Sequence, residues 1–171
     1  MNLKFTLAYD GSLFQGSQKQ PNGMTVEDKL LKAFKKINIE TNIVLSGRTD
    51  KEVHATGQVF NCIVPDYWED FFKLKEILNK NLPNSIKILN ISKVADDFHS
   101  RFHAKKRTYR YLITSKQTNP FNAKYITYVK DIDEELLKKA IKEFIGIYDF
   151  KYFHKTGSDK ELTKREIFDA K

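Results

Sequence analysis

The order of two hydrophobic periodicities in the first 94 residues is the feature that most restricts the fold. Alternating apolar and polar residues predict strands, and apolar residues every three to four positions predict helices. The segments follow one another as strand, helix, strand, strand, helix and strand, over 3–9, 25–37, 42–45, 57–64, 68–82 and 86–94. This order is the split βαβ plan. We therefore predict an α+β fold whose first domain covers residues 1–104.

A second, smaller α+β unit is predicted over residues 105–171. A strand is expected at 108–114 with a hairpin partner at 125–129, and a last strand at 162–168, after an irregular aromatic stretch at 148–154. Asp131 or Asp133 is expected to cap a helix. The buried side of that helix is predicted to carry Leu136, Leu137, Ala140, Ile141 and Phe144. One helix and three strands cannot cover both faces of a sheet, so this unit is predicted to be incomplete or to be completed by another chain.

The whole net charge of +8 is carried by thirty residues. Positions 101–130 hold eight Lys or Arg and no Asp or Glu, whereas the rest of the chain holds twenty-two basic and twenty-two acidic side chains. Such a segment attracts a polyanion and releases its counterions on binding. A solvated lysine-rich surface has the same composition, so charge alone leaves nucleic acid and solvent equally open.

Cysteine usage and apolar run lengths indicate the compartment. Cys62 is the only cysteine, so no internal disulfide can form, and a reducing, cytoplasmic environment is expected. Residues 1–9 lack the pattern of a secretion signal, and the longest apolar runs are of strand length. We therefore expect neither secretion nor a membrane span.

The loop Gly47-Arg48-Thr49-Asp50 follows a short apolar strand and is a candidate for chemistry. An aspartate beside an arginine is expected to stay ionised, because the opposite charge stabilises the carboxylate, and an ionised carboxylate can attack an electrophilic carbon. His54 lies four residues further on and could orient the loop. From these residues alone, a surface turn with a local ion pair between Arg48 and Asp50 is the favoured interpretation. A hydrolase with Asp50 and His54 as acid and base is a further hypothesis.

Aromatic residues interleave with the basic residues of 101–130, at Phe102, Tyr109, Tyr111 and Tyr125. Rings among cations suit unstacked bases, which need a flat apolar partner and a neutralised backbone. In a strand, Tyr109 and Tyr111 would share one face and Arg110 would lie on the other. A half-buried strand with a tyrosine face explains the pattern equally well.

Metal chemistry is not indicated by the histidines. His54, His99 and His103 have neither a neighbouring cysteine pair nor an acidic cluster, and His99 and His103 fall in a phenylalanine-rich stretch that is not expected to be helical. We predict no metal site.

Three segments resemble the signatures of the TruA-type tRNA pseudouridine synthase family. Residues 9–18, with Tyr9-Asp10-Gly11 followed by Phe14, Gly16 and Gln18, are similar to YDGxxFxGxQ. The sequence SGRTDKEVHA at 46–55 is similar to the catalytic loop GRTDxGVHA, and FHSRFHAKKRTYRY at 98–111 to FHARFxAxxRxYRY. Residues 146–153 and 163–167 resemble GxHDFxxF and TxRxI. These segments keep the family's order across nearly the whole chain, which makes the resemblance specific.

The resemblance implies a pseudouridine synthase fold with a ferredoxin-like or RRM-like first unit, and an isomerase that needs no cofactor and no metal. Uridine in the anticodon stem-loop of tRNA would become its C-glycosidic isomer. By position, Asp50 is implied to be the nucleophile, attacking C6 of the base or C1′ of the sugar. Arg48 would fill the space left by the flipped nucleotide, and Tyr109 would pack against the flipped base. Flipping is required because the glycosidic carbon is inaccessible in a stacked base.

Substrate contacts and assembly are implied by the same resemblance. The tRNA would be held mainly through its shape and charge. The side chains implied to hold it are Asp10, Phe14, Gln18, Arg101, Lys105, Lys106, Arg107 and Arg110. A homodimer is implied, in which the second domains pack together to build the tRNA cleft.

Three departures from the family pattern carry expectations of their own. Glu52 stands where the family has glycine, so a loop that needs a positive φ there would have to be remodelled, and the added carboxylate could repel RNA. Ser17 replaces a tryptophan that could serve as a packing anchor. The family chain is expected to continue past Lys171 with a helix, strands and a basic partner for the aspartate. A catalytically silent tRNA-binding module is therefore the alternative function.

Overall fold

A computed structural model describes residues 1–21, 23–153 and 163–171. These residues divide into two compact units, Met1–Tyr109 and Arg110–Lys171. The boundary predicted from the sequence lay between residues 104 and 105.

The first unit contains the six elements that the sequence predicts, in the predicted order. They are β1 (Asn2–Tyr9), α1 (Val26–Lys35), β2 (Val44–Leu45), β3 (Ala55–Ile63), α2 (Phe71–Asn81) and β4 (Ile86–Lys93). The predicted split βαβ order is thus confirmed.

The four strands of the first unit form one sheet in the order β2-β3-β1-β4. Every neighbouring pair is antiparallel, with Phe5 opposite both Phe60 of β3 and Ile91 of β4. Strands β1 and β2 are therefore parallel to each other, and β3 lies between them. Likewise β3 and β4 are parallel and are separated by β1. Each helix connects two strands that are split by a strand of the other βαβ half.

Alternating side chains of β1 place one face of the sheet in the core. Leu3, Phe5 and Leu7 are fully buried, and Phe60 of β3 stacks on Phe5 with ring centroids 4.5 Å apart. Phe34 of α1 contacts Phe5 edge-on at 5.6 Å. Burial of each such side chain stabilises the fold by about 1.5–3 kcal/mol. These contacts form part of the hydrophobic core of the first unit.

Both helices of the first unit begin at a residue whose side chain caps them. Thr25 accepts a hydrogen bond from the Asp28 N–H at 3.2 Å, and the Asp28 carboxylate accepts from the Thr25 N–H at 3.2 Å, which completes a capping box. Asp70 caps α2 by accepting from the Lys73 N–H at 2.9 Å. Pro83 follows two residues after the last residue of α2, where a further helical turn would lack an amide donor.

The second unit contains short elements. In its described residues these are β5 (Ile113–Thr114), β6 (Thr127–Tyr128), α3 (Glu134–Lys142), β7 (Gly146–Asp149) and β8 (Lys164–Ile167). Asp133 caps α3 by accepting from the Leu136 N–H at 2.9 Å, which selects Asp133 over Asp131 as the predicted cap. Strands β7 and β8 pair antiparallel. Leu162 and His154, which belong to predicted segments, lie outside the described residues.

Two strand predictions in the second unit are wrong. Only Ile113 and Thr114 of the predicted 108–114 strand are in a strand, and β5 pairs with β6 in parallel rather than as a hairpin. Strand composition reflects a fit to a pleated surface, and without a neighbouring strand it does not produce one. The twelve residues between β5 and β6 are about the length that a parallel connection needs. The predicted irregular stretch at 148–154 also begins in a strand, β7.

The predicted burial of the α3 side chains is also wrong. Leu136 is 63% exposed, Leu137 42% and Ile141 37%. No described residue of the second unit is buried. The helix has the predicted apolar stripe, but burial requires another surface packed against that stripe, and the described elements of this unit do not supply one.

Candidate active site

The end of β1 leads into a turn that Asp10 holds closed. Its carboxylate oxygen Oδ1 accepts hydrogen bonds from the Ser12 N–H at 3.0 Å and the Ser12 hydroxyl at 2.6 Å, which caps a single 3₁₀ turn at Gly11–Leu13. Asp10 is thus a structural cap in this turn as well as a predicted substrate contact.

The same turn packs against the far end of the candidate catalytic loop. The Gly11 N–H donates to Nδ1 of His54 at 3.1 Å, and Asp10 Oδ1 lies 3.1 Å from the same nitrogen. A Cβ on Gly11 would come within 2.0 Å of the Val53 carbonyl oxygen, so only glycine fits there. His54 therefore lies where it can orient the loop against the turn.

The start of the loop is bound by hydrogen bonds to its backbone. The Ser46 N–H donates to the Val59 carbonyl at 2.8 Å. The Ser46 carbonyl accepts from the Arg107 guanidinium, from Nη2 at 2.7 Å and Nε at 3.3 Å. Next in the chain, the Gly47 carbonyl accepts from the Gln58 side-chain amide at 2.6 Å. Neighbouring strands and one arginine therefore set the path of the backbone before Arg48.

Thr49, which precedes the candidate nucleophile, is bound through all of its polar groups. Its N–H donates to Ser17 Oγ at 2.8 Å, its carbonyl accepts from the Ser17 N–H at 3.0 Å, and its hydroxyl shares a hydrogen bond of 2.8 Å with Tyr9 Oη. Burial raises the pKa of the Tyr9 phenol above its ordinary value, and the hydrogen bond to Thr49 partly offsets this. Tyr9 is thus a neutral hydrogen-bonding partner at neutral pH.

Asp50 and Arg48 are both exposed, and no ion pair joins them. The predicted local Arg48–Asp50 pair is therefore wrong. Two solvated side chains gain little by pairing in water, and ordering them costs side-chain entropy. The Asp50 carbonyl accepts from the Val53 N–H at 3.3 Å, which closes the turn after the carboxylate. Among the described residues, none hydrogen-bonds to the Asp50 side chain, so the carboxylate faces solvent on a fixed backbone.

The loop has a left-handed residue at position 52, where the family signature that it resembles has glycine. Glu52 adopts a φ of 66°, so the remodelling expected from its replacement of glycine is not observed. This conformation costs a non-glycine residue about 1–2 kcal/mol. The Glu52 carboxylate is exposed and lies 3.5 Å from Lys51 Nζ. The charge of Glu52 is therefore partly balanced within the loop.

Ser17 is fully buried, and its hydroxyl oxygen is the acceptor for Thr49. Ser17 does not provide the packing anchor that a tryptophan could, but it forms hydrogen bonds with Thr49. Phe14 is only 4% exposed and belongs to the core, so it has no surface to offer a substrate, contrary to its predicted role. Gln18 is exposed, as a substrate contact must be.

A buried polar network holds the segment that leads to the basic residues. The Asn61 side chain donates to Asn2 Oδ1 at 3.0 Å and accepts from the N–H and hydroxyl of Ser100 at 2.9 and 2.7 Å. Asn2 donates in turn to the Phe98 carbonyl at 2.9 Å. Such a satisfied network fixes the backbone of its partners. It brings Arg101 to a defined place, where its carbonyl accepts from Arg107 at 3.2 Å.

The predicted RNA-binding cations lie on the surface. Arg101, Lys105, Lys106 and Arg107 are exposed in the first unit, and Arg110 is exposed in the second. Of these, Arg107 is committed to the Ser46 carbonyl. The guanidinium of Arg101 lies 5.9 Å from the centre of the Phe102 ring.

The predicted base-stacking tyrosines are exposed as well. Tyr109 is 73% exposed and Tyr111 is 90% exposed. Because residues 108–112 are not in a strand, the predicted two-sided arrangement around Arg110 is not formed. The rings are accessible, in a segment without regular secondary structure rather than on a sheet.

Two absences apply to the described part of the chain. No group of three or more His, Cys, Asp or Glu side chains there could hold a metal ion. In the same residues, no helix combines the length and the apolar character that crossing a membrane requires.

Sequence reasoning missed Ser17, Gln58 and Asn61 as residues that shape the site. Their partners are backbone groups or distant side chains, at separations of 32, 11 and 59 positions. The available signal was the presence of polar residues inside an otherwise apolar strand, at Gln58 and Asn61. Ser17 lies in a polar loop, and the sequence marked it as a departure from the family's tryptophan but not as a hydrogen-bonding residue.

Comparisons with a family model and with known proteins point to the same family. A model of the tRNA pseudouridine synthase family matches residues 6–103. The chain is 38% identical over 172 residues to the tRNA pseudouridine synthase A of Streptococcus agalactiae serotype Ia. The aligned residues make up 98% of this chain and 66% of that relative. The protein of that name from Helicobacter pylori is 40% identical, with 98% and 68% covered, and that from Campylobacter jejuni 37%, with 100% and 71%. The chain spans about two thirds of the length of these relatives.

Proposed function

Because the chain belongs to the tRNA pseudouridine synthase family, whose members are isomerases, we propose that it converts uridine in the anticodon stem-loop of tRNA into pseudouridine with Asp50 as the nucleophile. The observation that carries this proposal is the setting of Asp50. Its carboxylate is exposed, and the preceding backbone is held at Ser46, Gly47 and Thr49 by hydrogen bonds. A reactive group on a fixed support is what an accurate attack needs.

The reaction requires no atom beyond those of the uridine and the enzyme. The Asp50 carboxylate adds to C6 of the base or to C1′ of the sugar, the N1–C1′ bond breaks, and the base turns. A C5–C1′ bond then forms, the ester to Asp50 is released, and the proton from C5 moves to N1. Covalent catalysis of this kind divides one difficult exchange into easier steps. The two points of attack differ in which atom carries the transient ester.

The nucleotide has to leave the stack before Asp50 can reach it, because both carbon atoms are shielded in a paired helix. Arg48 is exposed two residues before Asp50 and would occupy the vacated space. Tyr109 is 73% exposed and would pack against the flipped base. Such stacking contributes about 1–3 kcal/mol per base. These two roles explain why the site leaves a long cation and an aromatic ring open to solvent.

The basic segment would hold the tRNA backbone. Lys105 and Lys106 are exposed next to Arg107, and Arg110 continues the series. Contacts of this kind act through charge and shape and make binding depend on salt. Gln18, exposed on the turn beside the catalytic loop, completes the proposed contacts.

Location and assembly are further parts of the proposal. Cys62 is a buried free thiol, which fits a reducing, cytoplasmic compartment. Association into a homodimer is supported by the large apolar side chains exposed on the second unit, such as Leu136 at 63% and Ile147 at 69%. Surfaces of that kind commonly mark protein contacts.

The test is isomerisation of an unmodified tRNA transcript by the wild-type protein, Asp50→Ala and Asp97→Ala. Asp97 is an exposed carboxylate in the same unit and serves as the matched control. We expect pseudouridine from the wild type and from Asp97→Ala. Asp50→Ala should yield no product and should keep its affinity for tRNA in a filter-binding assay.

Each other outcome contradicts a separate part of the proposal. Normal turnover by Asp50→Ala would remove Asp50 as the nucleophile. Salt-sensitive tRNA binding by a wild-type chain that makes no product would indicate the catalytically silent binding module. Cleaved tRNA would indicate a hydrolase instead.

A further inference from the structure

Ser17 and Thr49 form a two-point contact between separate loops. Each residue's backbone N–H donates to the other: Thr49 to the Ser17 hydroxyl oxygen at 2.8 Å, and Ser17 to the Thr49 carbonyl at 3.0 Å. Two bonds fix both the position and the rotation of the Thr49 peptide groups, whereas one bond would leave a pivot. The Thr49 carbonyl belongs to the peptide bond that leads directly to Asp50.

Ser17 is itself anchored to the start of helix α1. Its carbonyl accepts from the Glu27 N–H at 3.0 Å, and the carbonyl of Gly16 accepts from the Val26 N–H at 3.2 Å. These N–H groups belong to the first helical turn, where the backbone N–H groups have no acceptors within the helix. The capping box at Thr25 holds that turn in place. A rigid line of contacts therefore runs from the helix through Ser17 to Thr49.

Beside this contact, the space at Gly16 admits only glycine. A Cβ on Gly16 would lie 2.9 Å from the Thr49 carbonyl oxygen, and the φ of Gly16 is 106°. The Ser17 side chain is fully buried. The hydroxyl is therefore both the filling group and the acceptor for the Thr49 N–H.

The direction of the Asp50 carboxylate depends on this backbone. In the described residues, no side chain or N–H holds the carboxylate itself, and Asp50 is exposed. Its approach to a flipped nucleotide is thus set by the Thr49 backbone and by the turn that the Val53 N–H closes at 3.3 Å. A displacement of about 1 Å at a reacting group can lower a rate by about a hundredfold.

We propose that Ser17 is a positioning residue for Asp50, acting through the two hydrogen bonds that it makes with the Thr49 backbone. This inference rests on the proposed function of Asp50 as the nucleophile. Ser17 does not touch the reacting atoms. It determines where the carboxylate lies when the nucleotide arrives.

The test compares Ser17→Ala with Asn79→Ala. Ser17→Ala removes the acceptor of the Thr49 N–H and keeps the Ser17 N–H bond to the Thr49 carbonyl. Asn79 makes two comparable bonds, to the Ile88 carbonyl at 3.0 Å and from the Ile88 N–H at 2.8 Å, between α2 and β4. Asn79→Ala is thus the control for a general loss of stability. Tyr9→Phe, which releases the Thr49 hydroxyl alone, is the second variant should Ser17→Ala fail to fold.

Two readouts separate positioning from stability. The first is the single-turnover rate on tRNA at saturating protein, together with the protein concentration at half saturation. The second is hydrogen exchange of the Thr49 amide by NMR, with the amides of β1 as internal reference. For Ser17→Ala we expect the rate to fall by about ten- to a hundredfold at unchanged half saturation, and the Thr49 amide to exchange at least about tenfold faster. Asn79→Ala should change neither quantity per folded molecule.

The opposite results overturn the inference. A wild-type rate in Ser17→Ala, or an equal loss in Asn79→Ala, would show that the contact is only structural. If the wild-type chain makes no pseudouridine, the proposed function fails, and unchanged exchange of the Thr49 amide in Ser17→Ala would then refute the contact as well. Should only Tyr9→Phe fold, a wild-type rate and wild-type Thr49 exchange in that variant would overturn the role of this network.

Discussion

The Arg107 guanidinium donates two hydrogen bonds to the carbonyl oxygen of Ser46, at 2.7 and 3.3 Å, across 61 positions of the chain. It also donates to the Arg101 carbonyl at 3.2 Å. An arginine in the basic segment thus connects that segment to the start of the candidate catalytic loop. The planar fork of a guanidinium makes such a connection, and the single ammonium of lysine does not.

Arg107→Lys is therefore expected to lower turnover while it keeps the charge. The loss of the forked contact should loosen the loop before Arg48 and reduce the rate by about tenfold, a loss of about 1.4 kcal/mol. The slope of tRNA affinity against salt should stay the same, because the number of cations is unchanged. Steady-state kinetics and binding at several salt concentrations measure both.

Lys105→Gln provides the matched control for Arg107→Lys. It should reduce the salt slope by about one contact and leave turnover at saturation unchanged. If Arg107→Lys left both turnover and the salt slope unchanged, Arg107 would act only as a cation toward phosphate and not as a support of the loop.

Glu52→Gly is expected to stabilise the protein, because Glu52 holds a φ of 66° that glycine adopts freely. Removing the backbone strain at this φ contributes about 1–2 kcal/mol, and the greater freedom of glycine in the unfolded chain partly offsets that gain. The net gain in the free energy of unfolding should be about 0.5–1 kcal/mol, measured by urea denaturation. Glu52→Gln keeps the strained backbone and removes the charge. An equal gain in Glu52→Gln would assign the effect to charge instead of conformation.

Alkaline pH should weaken the first unit through Cys62. Burial raises the pKa of its thiol from 9.0 to about 12. The contribution of this thiol is thus fully present below pH 9. It is lost as the pH rises from 9 to about 12, since the unfolded chain releases the thiol proton first. Tyr9, whose pKa is also raised by burial, adds a decline that begins near pH 10.

Urea unfolding of the wild type and Cys62→Ala between pH 8 and 11 measures this effect. The variant starts from a lower free energy of unfolding because it loses a buried sulfur atom. Its decline above pH 9 should be shallower than that of the wild type. Parallel curves would mean that the thiol does not contribute to alkaline unfolding.

Asn61→Leu should destabilise the first unit by about 2–3 kcal/mol. It leaves the N–H of Ser100 and the Oδ1 of Asn2 buried without their partner. Thermal unfolding measures the loss. Asn90→Leu, at an exposed position of β4, is the control and should change stability by less than about 0.5 kcal/mol. A small effect of Asn61→Leu would show that the network is not required for folding.

The elements of the first unit could be predicted because their sequence signals act between neighbouring residues. The alternation of β1 and the capping pair Thr25 and Asp28 act over two to four residues, and the core then buries the faces that they define. The resemblance of the loop around Asp50 to the family's catalytic loop, and not the residue types alone, marks Asp50 as the candidate nucleophile. The strand expected at 108–114 forms only at its last two residues. A strand needs a neighbouring strand to pair with, and the residues of the segment do not encode that neighbour.

The sequence by itself determined the order of elements in the first unit, the start of its first helix at Thr25 and the position of Asp50 in a loop. Periodicity, capping and motif spacing are properties of neighbouring residues. Only the tertiary structure decided that Arg48 stays apart from Asp50, that Arg107 binds Ser46, and that Ser17 holds Thr49. The two contacts each place a side-chain atom against a backbone group far away in the chain. Every residue carries the same backbone donors and acceptors, so residue types cannot reveal which ones will meet.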